Sequence, residues 1–513
     1  MPSSMRSDYG SVPAGSGIRR SQFDISENHK TTFDGDYLVP IYWNYFYPGE
    51  VVRGGLKAFV RMSSPLDFPL MDNMKLTCHW YSTPIRQVWA NFRKMFGERE
   101  DPGDSIDYTV PEVGAGSVAT DAASGNRWIE LLWYLGVPIV PTVGVDQDEL
   151  AALPFRTYHH IYNWHYRDTQ QQDSLDVPTD DGPDTGHVYE MKKRGKRFDY
   201  FTAATLAPQR GETVGATADV TIDTGAGSNP SIVYGPTGTR YELDANAALL
   251  DVSATTGGSS EKLYTELLIS ELRNAVAIQQ FLERDNRYGT RYDELIFAHY
   301  GSEFRDIRVA PQYLGGGSGY INTSSIPNQS GSSGNVGDLA AIAHGSLDGA
   351  RFTYAFDEPS ILMCIVVVSA DQTYQRGLDK KWSLRTRYDF FTPEFNRIGD
   401  QALLSKELWF NNDGASGDDT VFGYVPRNEH MRIGINRVSG EFASEHNATL
   451  DSWHLATNYA TRPVLGDTWI SSDSPYSRVQ QVATQHDFIA DFQIELKAAR
   501  QLPVYGVPGL ARL

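Results

Sequence analysis

The longest uninterrupted apolar run in this chain of 513 residues is ILMCIVVV, residues 361–368. Eight residues are too few to cross a bilayer, because a spanning helix needs about 20 apolar residues. A short run rich in β-branched side chains is typical of a strand that is buried on both faces. The run therefore predicts a sheet whose central strand is covered on each side.

Composition and further segments extend this prediction to a β-rich fold. The chain contains Tyr 28, Phe 23, Trp 10, Gly 46 and Pro 26, which favours many short strands and turns over a helical bundle. The sequence has no alternation of strands and helices of the kind that forms a parallel sheet. We therefore expect an antiparallel β-domain with long insertions. The other strand candidates are residues 37–50, 55–62, 69–82, 352–358, 383–391 and 421–427.

Four segments inside the insertions have helical periodicity. The most regular one, residues 272–301, indicates a helix, a stop at Gly289 and a second helix. Its apolar residues recur every three or four positions, and this pattern alone is that of an ordinary core helix. The other three predicted helices cover residues 83–97, 127–136 and 155–167.

Three segments are predicted to be loops or arms. Residues 1–22 form an expected flexible N-terminal arm with Arg19 and Arg20 near its end, and without the apolar core of a signal peptide. Residues 212–258 are rich in Gly, Thr, Ser, Ala and Asp, so we expect an exposed insertion loop with a loose hairpin around Val233. Residues 314–337 are predicted to be a second loop. Residues 23–513 then form one domain.

Catalytic and metal-binding signatures are missing from the sequence. It contains no phosphate-binding loop, no dinucleotide fingerprint, no nucleophile elbow and no zinc-protease motif, so we expect no enzyme and no cofactor. His159, His160 and His165 have poor metal-ligand spacing and are better explained as packed side chains. Cys78 and Cys364 lie in apolar, strand-like runs and are expected to be buried free thiols.

Charge limits how the chain can meet nucleic acid. The net charge of −19 opposes bulk attraction to phosphate, so an enclosed DNA would need a basic partner. One cluster is an exception, with five basic residues in six positions followed by two aromatic residues. It is either a solvated loop face or a strip that contacts phosphates, with Tyr200 and Phe201 placed to stack on bases. The candidate DNA contacts are Lys192, Lys193, Arg194, Lys196 and Arg197, together with Arg19 and Arg20.

Several separated segments resemble the major capsid proteins of the Microviridae, best those of the gokushovirus-like branch, and they occur in the family's order. They include FDISENHKTTFDGDYLVP (23–40), LPFRTYHHIYNWHYRD (153–168), FDYFTAATLAPQRG (198–211), LERD (282–285) with GTRY (289–292), and YDFFTPEFNRIGDQAL (388–403). The residues that carry two of these motifs are Leu153, Pro154, Phe155, Arg156, Tyr158, Ile161, Tyr162, Asn163, Arg167, Asp168, Asp199, Tyr200, Phe201 and Thr202.

The resemblance implies an eight-stranded antiparallel jelly roll with large insertions. It also implies a structural protein that self-assembles as sixty copies in a T=1 icosahedral shell around a circular single-stranded DNA genome. Implied partners are other capsid subunits at the two-, three- and fivefold axes, a small basic DNA-binding virion protein, and scaffolding and pilot proteins. The loop at 212–258 falls where relatives form a threefold protrusion, so a host receptor is expected there. The implied locations are the virion and, during assembly, the bacterial cytoplasm.

Two other functions fit a β-sandwich of this kind. A carbohydrate-binding or adhesin-type protein would also present residues 212–258 outward. A jelly-roll enzyme would need a cleft with convergent carboxylates, and sequence spacing cannot identify such a pair. Closure into particles distinguishes the capsid hypothesis from both.

Overall fold

The computed structural model describes residues 20–114, 127–138, 150–185, 187–211, 232–234, 240–242, 269–303, 308–327, 339–414, 417–482 and 484–504. The chain divides into two compact units. The first contains Met1–Leu206 and Gly289–Leu513, and the second is Ala207–Tyr288. Predictions for residues 1–19, including Arg19, and for most of 212–258 fall outside the described residues.

Strands dominate the first unit. Its strands are β1 (Ser21–Asp24), β2 (Glu27–Phe33), β3 (Val39–Phe46), β4 (Val51–Met62), β5 (Met74–Pro84), β8 (Gln312–Pro327), β9 (Leu339–Ala355), β10 (Ser360–Ala370), β11 (Asp400–Leu404), β12 (Val421–Pro426) and β13 (Phe488–Arg500). Its helices are α1 (Ile85–Val88), α2 (Phe92–Met95), α3 (Arg127–Tyr134), α4 (Leu153–His165), α6 (Tyr292–Tyr300), α7 (Ser405–Leu408) and α8 (Asp467–Ile470). The second unit contains β6 (Ile232–Tyr234), β7 (Arg240–Glu242) and α5 (Ile269–Tyr288).

The main sheet has the strand order of a jelly roll. Its strands run β1-β13-β4-β9-β8-β5-β10-β3, β2 also pairs with β13, and all these pairs are antiparallel. One half is β2-β13-β4-β9 and the other is β3-β10-β5-β8. Strand β9 joins them, because it pairs with β4 along residues 344–355 and with β8 along residues 339–345. Two four-stranded antiparallel halves with this connectivity form a double Greek key. The predicted jelly roll is therefore confirmed.

The core lies between the two halves of the sheet. Strand β4 alternates buried and more exposed residues along much of its length, as a half-buried strand does. Strand β10 differs, since all eleven of its residues are buried. Its outer face is covered in part by α4, which packs against β10 and β5. The prediction that residues 361–368 form a strand buried on both faces is confirmed.

The glycine-rich segment at 314–337 was predicted to be a loop, and this prediction is wrong for its described part. Residues 312–327 form strand β8, paired with β5 and β9. Glycine is used here because the neighbouring strands come close. A Cβ on Gly317 would lie 2.9 Å from the backbone nitrogen of Ala350, and one on Gly319 would lie 2.6 Å from the carbonyl oxygen of Ser346. Residues 328–337 lie outside the described residues.

The predicted strand at 383–391 is also wrong. The segment forms turns flanked by 3₁₀ helices at Lys380–Ser383 and Pro393–Arg397. The Asp389 carboxylate accepts hydrogen bonds from the backbone nitrogens of Arg385 and Thr386 at 3.0 and 2.7 Å. Local bonds of this kind compete with strand pairing, and alternation of residue types does not reveal them.

The helix predictions are mostly confirmed. Helices α3 and α4 cover the segments predicted near 127–136 and 155–167, and α5 precedes Gly289, whose φ is 108°. The single helix expected over 83–97 is instead two one-turn helices, α1 and α2, with Trp89 extended between them. Around Val233, β6 pairs antiparallel with β7, as the predicted hairpin requires. None of the described helices is long and apolar enough to cross a membrane.

Candidate functional site

Helix α4 carries the most deeply buried charge of the described residues. Arg156 is 0% exposed and binds Asp184, which is itself 4% exposed. Arg156 Nε donates to Asp184 Oδ2 at 3.0 Å. Arg156 Nη1 donates to the carbonyl oxygens of Val88 and Asp180 at 3.1 and 2.9 Å. Tyr189 donates its hydroxyl to the same carboxylate. This pair links α4, the end of α1 and the loop at 180–189, so its role is to position insertions against the sheet.

The other residues of this motif are also engaged inside the subunit. The Tyr158 hydroxyl donates to the carbonyl oxygen of Leu38 at 2.8 Å, and the Asn163 side chain exchanges two hydrogen bonds with the backbone of Leu175. Arg167 donates to the Gln172 carbonyl oxygen at 3.1 Å. Leu153, Pro154, Phe155, Ile161 and Tyr162 are buried, and Asp168 accepts the backbone N–H of Gln170 at 2.8 Å.

The second motif, Asp199 to Thr202, forms a tight turn over a separate hydrophobic cluster. Asp199 Oδ1 accepts the backbone N–H groups of Phe201 and Thr202 at 2.9 and 2.8 Å. Tyr200 and Phe201 are buried in this cluster, and the Tyr200 hydroxyl donates to Glu407 Oε2 at 2.8 Å. Their rings are therefore unavailable for stacking on bases within this subunit, contrary to the placement expected from the sequence.

The three histidines of α4 hydrogen-bond to backbone carbonyls. His160 Nε2 lies 2.9 Å from the Val309 oxygen, His165 Nε2 lies 3.0 Å from the Pro311 oxygen, and His159 Nε2 lies 3.3 Å from the Glu190 oxygen. Burial lowers the pKa of His159 to about 3 and that of His160 to about 4, so both are neutral near pH 7. The described residues contain no group of His, Cys, Asp and Glu arranged to hold a metal ion.

Three lysines of the basic strip have partners inside the subunit. Lys192 pairs with Glu190, and Lys193 pairs with Asp473 at 2.5 Å while lying over the Tyr37 ring. Lys196 lies 4.2 Å from the centre of the Trp469 ring and donates to the Tyr459 hydroxyl at 3.1 Å. Burial lowers the pKa of Lys196 to about 8. Lys193 and Lys196 hold the strip against residues 459–473.

The arginines of the strip are placed differently. Arg197 pairs with Asp371 at 2.5 Å, whereas the guanidinium of Arg194 makes no ion pair with any residue that the structure describes. Both line a cleft of about 450 Å³ on the outer face of β5 and β8. Arg20 lies apart from it, exposed just before β1. The remaining residues that line this cleft are Lys75, Thr77, His79, Tyr313, Gly316, Gly317 and Ser318.

This cleft is missed by reading the sequence in separate segments. Its residues come from three places along the chain: the pairing of β5 with β8 joins two of them, and the basic strip adds Arg194 and Arg197. One signal was available, since Lys75, Thr77 and His79 alternate with the buried residues Leu76 and Cys78. Cys78 and Cys364 are buried free thiols with their sulfurs 3.3 Å apart, as predicted.

Comparison with known proteins identifies the class to which this fold belongs. The model of the family described as "Capsid protein (F protein)" matches residues 11–510. Capsid protein VP1 of Chlamydia phage 1 is 32% identical over 608 aligned residues, covering 100% of this chain and 99% of that protein. Capsid protein VP1 of Bdellovibrio phage phiMH2K is 33% identical over 520 residues, with 95% of each chain covered. Capsid protein VP1 of Spiroplasma virus 4 is 28% identical over 559 residues, with 97% of each covered.

A jelly roll matched over nearly its whole length by these proteins is a viral structural protein. The chain belongs to the capsid protein (F protein) family of the Microviridae, and the resemblance seen in its sequence motifs is confirmed. It is a component of a phage virion that assembles with other capsid subunits.

Proposed function

We propose that sixty copies of this chain close into a T=1 icosahedral shell around a circular single-stranded DNA genome. The observation that carries the proposal is the jelly-roll strand order in a chain that matches two VP1 capsid proteins over at least 95% of both lengths. The subunit works by assembly rather than by catalysis. Its shell forms in the cytoplasm of a bacterial host.

The distribution of apolar surface supports a shell subunit. Many large apolar side chains are exposed on the single chain, and a shell would bury part of them between neighbouring subunits. Each subunit of a shell has several neighbours, so contacts that are individually weak become jointly strong. An interface of standard size buries about 1,600 Å², most of whose gross free energy is offset by lost freedom of motion.

The acidic charge supports a basic partner inside the shell. A subunit with a net charge of −19 repels phosphate, so a small basic virion protein is proposed to neutralise most of the genome. Direct contact by the chain is limited to local positive sites, for which Arg194, Arg19 and Arg20 are the leading candidates, whereas Arg197 already pairs with Asp371 and contributes less. Lys192, Lys193 and Lys196 contribute less in this proposal, because their ammonium groups already have partners.

The remaining parts of the proposal concern segments and other virion proteins. Residues 1–22 are proposed as an N-terminal arm and residues 23–513 as one capsid domain with insertions. Residues 212–258 are proposed as a threefold protrusion that contacts a host receptor. Scaffolding and pilot proteins complete the proposed set of partners.

Electron microscopy of the full chain, combined with its mass in solution, tests the shell directly. Uniform icosahedral particles with a mass near sixty subunits are the expected result, with the viral partners added if the chain alone stays dispersed. A protein that remains monomeric with those partners present would contradict the proposal. Binding of glycans by such a monomer would then favour a carbohydrate-binding or adhesin-type protein.

A further inference from the structure

The cleft over β5 and β8 concentrates positive charge on the sheet itself. Along β5, Lys75, Thr77 and His79 occupy the outer face, since the residues between them are buried in the core. Opposite them on β8, Ser318 pairs with Thr77 and Gly316 pairs with His79. Arg194 and Arg197 complete the lining. The lining of the cleft therefore combines cationic side chains with small residues, namely Thr77, Ser318, Gly316 and Gly317.

The charge of this lining is unbalanced. It contains three cations and no carboxylate, in a chain whose net charge is −19. Asp371 neutralises Arg197, but within the described residues neither Lys75 nor Arg194 has an ion pair. Burial and the neighbouring Arg197 lower the pKa of Arg194. A bound anion would compensate both effects, because the nearby Asp36 carboxylate offsets them only in part and forms no ion pair with Arg194 among the described residues.

Neutral hydrogen-bond donors accompany the cations. The hydroxyls of Thr77 and Ser318 line the cleft, and burial, with Arg194 nearby, lowers the pKa of His79 to about 4, so His79 adds no charge near pH 7. Glycine keeps the floor open, since a Cβ on Gly316 would lie 2.6 Å from the Tyr313 hydroxyl and 2.8 Å from a ring carbon of His79. Small residues beside cations allow a phosphate to approach the backbone closely.

Exposed aromatic rings lie beside the charged lining. Tyr313, which lines the cleft, is 51% exposed, and Tyr320, whose ring lies 5.6 Å from the Lys75 ammonium, is 60% exposed. Proteins that bind single-stranded nucleic acid combine cations for the backbone with aromatic faces for the bases. The volume of about 450 Å³ is within the range of small-ligand sites, about 300–1,000 Å³.

We propose that this cleft binds a phosphate group, with Arg194 and Lys75 as its principal ligands and Thr77 and Ser318 as neutral donors. The source that the flanking tyrosines favour is the backbone of single-stranded DNA, and this part rests on the proposed genome-enclosing function. Free phosphate offers the same chemistry, and binding to the purified chain separates the two sources.

The test measures binding of labelled oligo(dT) and of inorganic phosphate to the purified full chain at several salt concentrations. The double variant Arg194→Gln, Lys75→Gln should bind oligo(dT) about tenfold more weakly or worse. The slope of its log binding constant against log salt concentration should become shallower by about 0.7 for each lost phosphate contact. Arg53→Gln, Lys497→Gln is the matched control, because it removes the same charge from exposed positions on β4 and β13. Lys75→Gln alone retains the partly buried Arg194 and covers the case in which the double variant does not fold.

Each outcome decides the proposal. Weaker binding of oligo(dT) by the site variants, but not by the control, supports a DNA phosphate. Loss of inorganic phosphate binding with unchanged oligo(dT) binding supports the site with free phosphate as its ligand. Equal losses in site and control variants, or no binding of either probe, overturn the proposal. The binding is measured on dispersed protein, so a failure to form shells would be seen separately by microscopy.

Discussion

At the residue scale, the subunit depends on a few buried polar groups whose partners are distant in sequence. Arg156 is the clearest example, because its guanidinium is fully buried and its charge is balanced mainly by Asp184. Removing one member of a buried ion pair leaves the other charge without compensation, which costs about 3–5 kcal/mol. We therefore expect Arg156→Met to lower the unfolding temperature strongly, as measured by thermal denaturation followed by circular dichroism.

Arg93→Met is the control for this substitution. Arg93 pairs with Glu98 at the surface, where 61% of its side chain is exposed, and such pairs contribute about 0–1 kcal/mol. Equal unfolding temperatures for the two variants would show that Asp184 does not need the arginine. The sequence motif singled out Arg156, but it could not reveal this role, because Val88 and Asp184 approach it only in the folded chain.

A second prediction at this scale concerns Asp487. Burial, with Asp34 nearby, raises the pKa of Asp487 from 3.8 to about 6. Between about pH 4 and 6 the folded protein thus keeps a proton on Asp487 that the unfolded chain has already released. The free energy of unfolding therefore falls as the pH rises through this range, because ionised Asp487 is unfavourable in the folded protein. Asp487→Asn should be more stable than the native protein at pH 7.5, by on the order of 2 kcal/mol, and nearly equal at pH 4.

The surroundings of Asp487 suit an amide. Its carboxylate accepts hydrogen bonds from the Gly35 backbone and from Gln480 Nε2, at 2.9 and 3.0 Å, while Gln480 Oε1 is buried and has no hydrogen-bond partner among the described residues. Rotation of the Gln480 amide would let it accept from an asparagine. Chemical denaturation at both pH values tests this, with exposed Asp491→Asn as the control. A stability difference that does not change with pH would contradict the assigned titration.

At the element scale, β8 shows why the strands were only partly predictable. Alternation and β-branched residues correctly identified β10 and β12, whose sequences resemble ordinary strands. Strand β8 has glycine at 315, 316, 317 and 319, a composition that from the sequence alone favours a loop. The glycines are explained only by contacts with β5 and β9 that the folded sheet creates. Local propensity cannot predict a strand whose residues are chosen for close approach.

Gly316 has no room for a side chain within the sheet. A Cβ at this position would lie 2.4 Å from the Cys78 carbonyl oxygen, and a backbone atom in the middle of a sheet cannot move away without disturbing the strand pairing. We expect Gly316→Ala to destabilise the subunit by about 1–3 kcal/mol. Gly434→Ala is the control, since a Cβ there would have open space around it. Comparable denaturation midpoints for the two variants would show that β5 and β8 can separate at little cost.

At the scale of the whole molecule, helix α5 connects the fold to assembly. Its helical pattern was predicted correctly, and Leu272 and Val276 of its apolar stripe are 45% and 48% exposed among the described residues. Sequence periodicity reports that a helix face is apolar and does not report which chain covers it. We expect a neighbouring subunit of the shell to cover this face, and the periodicity of one chain could not assign that role.

This assignment gives a prediction for assembly. Leu272→Glu, Val276→Glu should leave the subunit folded, because both positions are already exposed to solvent, yet it should prevent shell closure. A carboxylate that must be buried against a neighbour loses several kcal/mol of hydration, and the loss recurs at every copy of the contact. Asn274→Glu, Gln280→Glu adds the same charge to exposed polar positions of the same helix and should still form shells. Sedimentation and electron microscopy distinguish the two. Shells from both variants would show that α5 faces solvent in the particle, and the apolar contacts would then have to come from other exposed aromatic residues, such as Trp382 and Phe390.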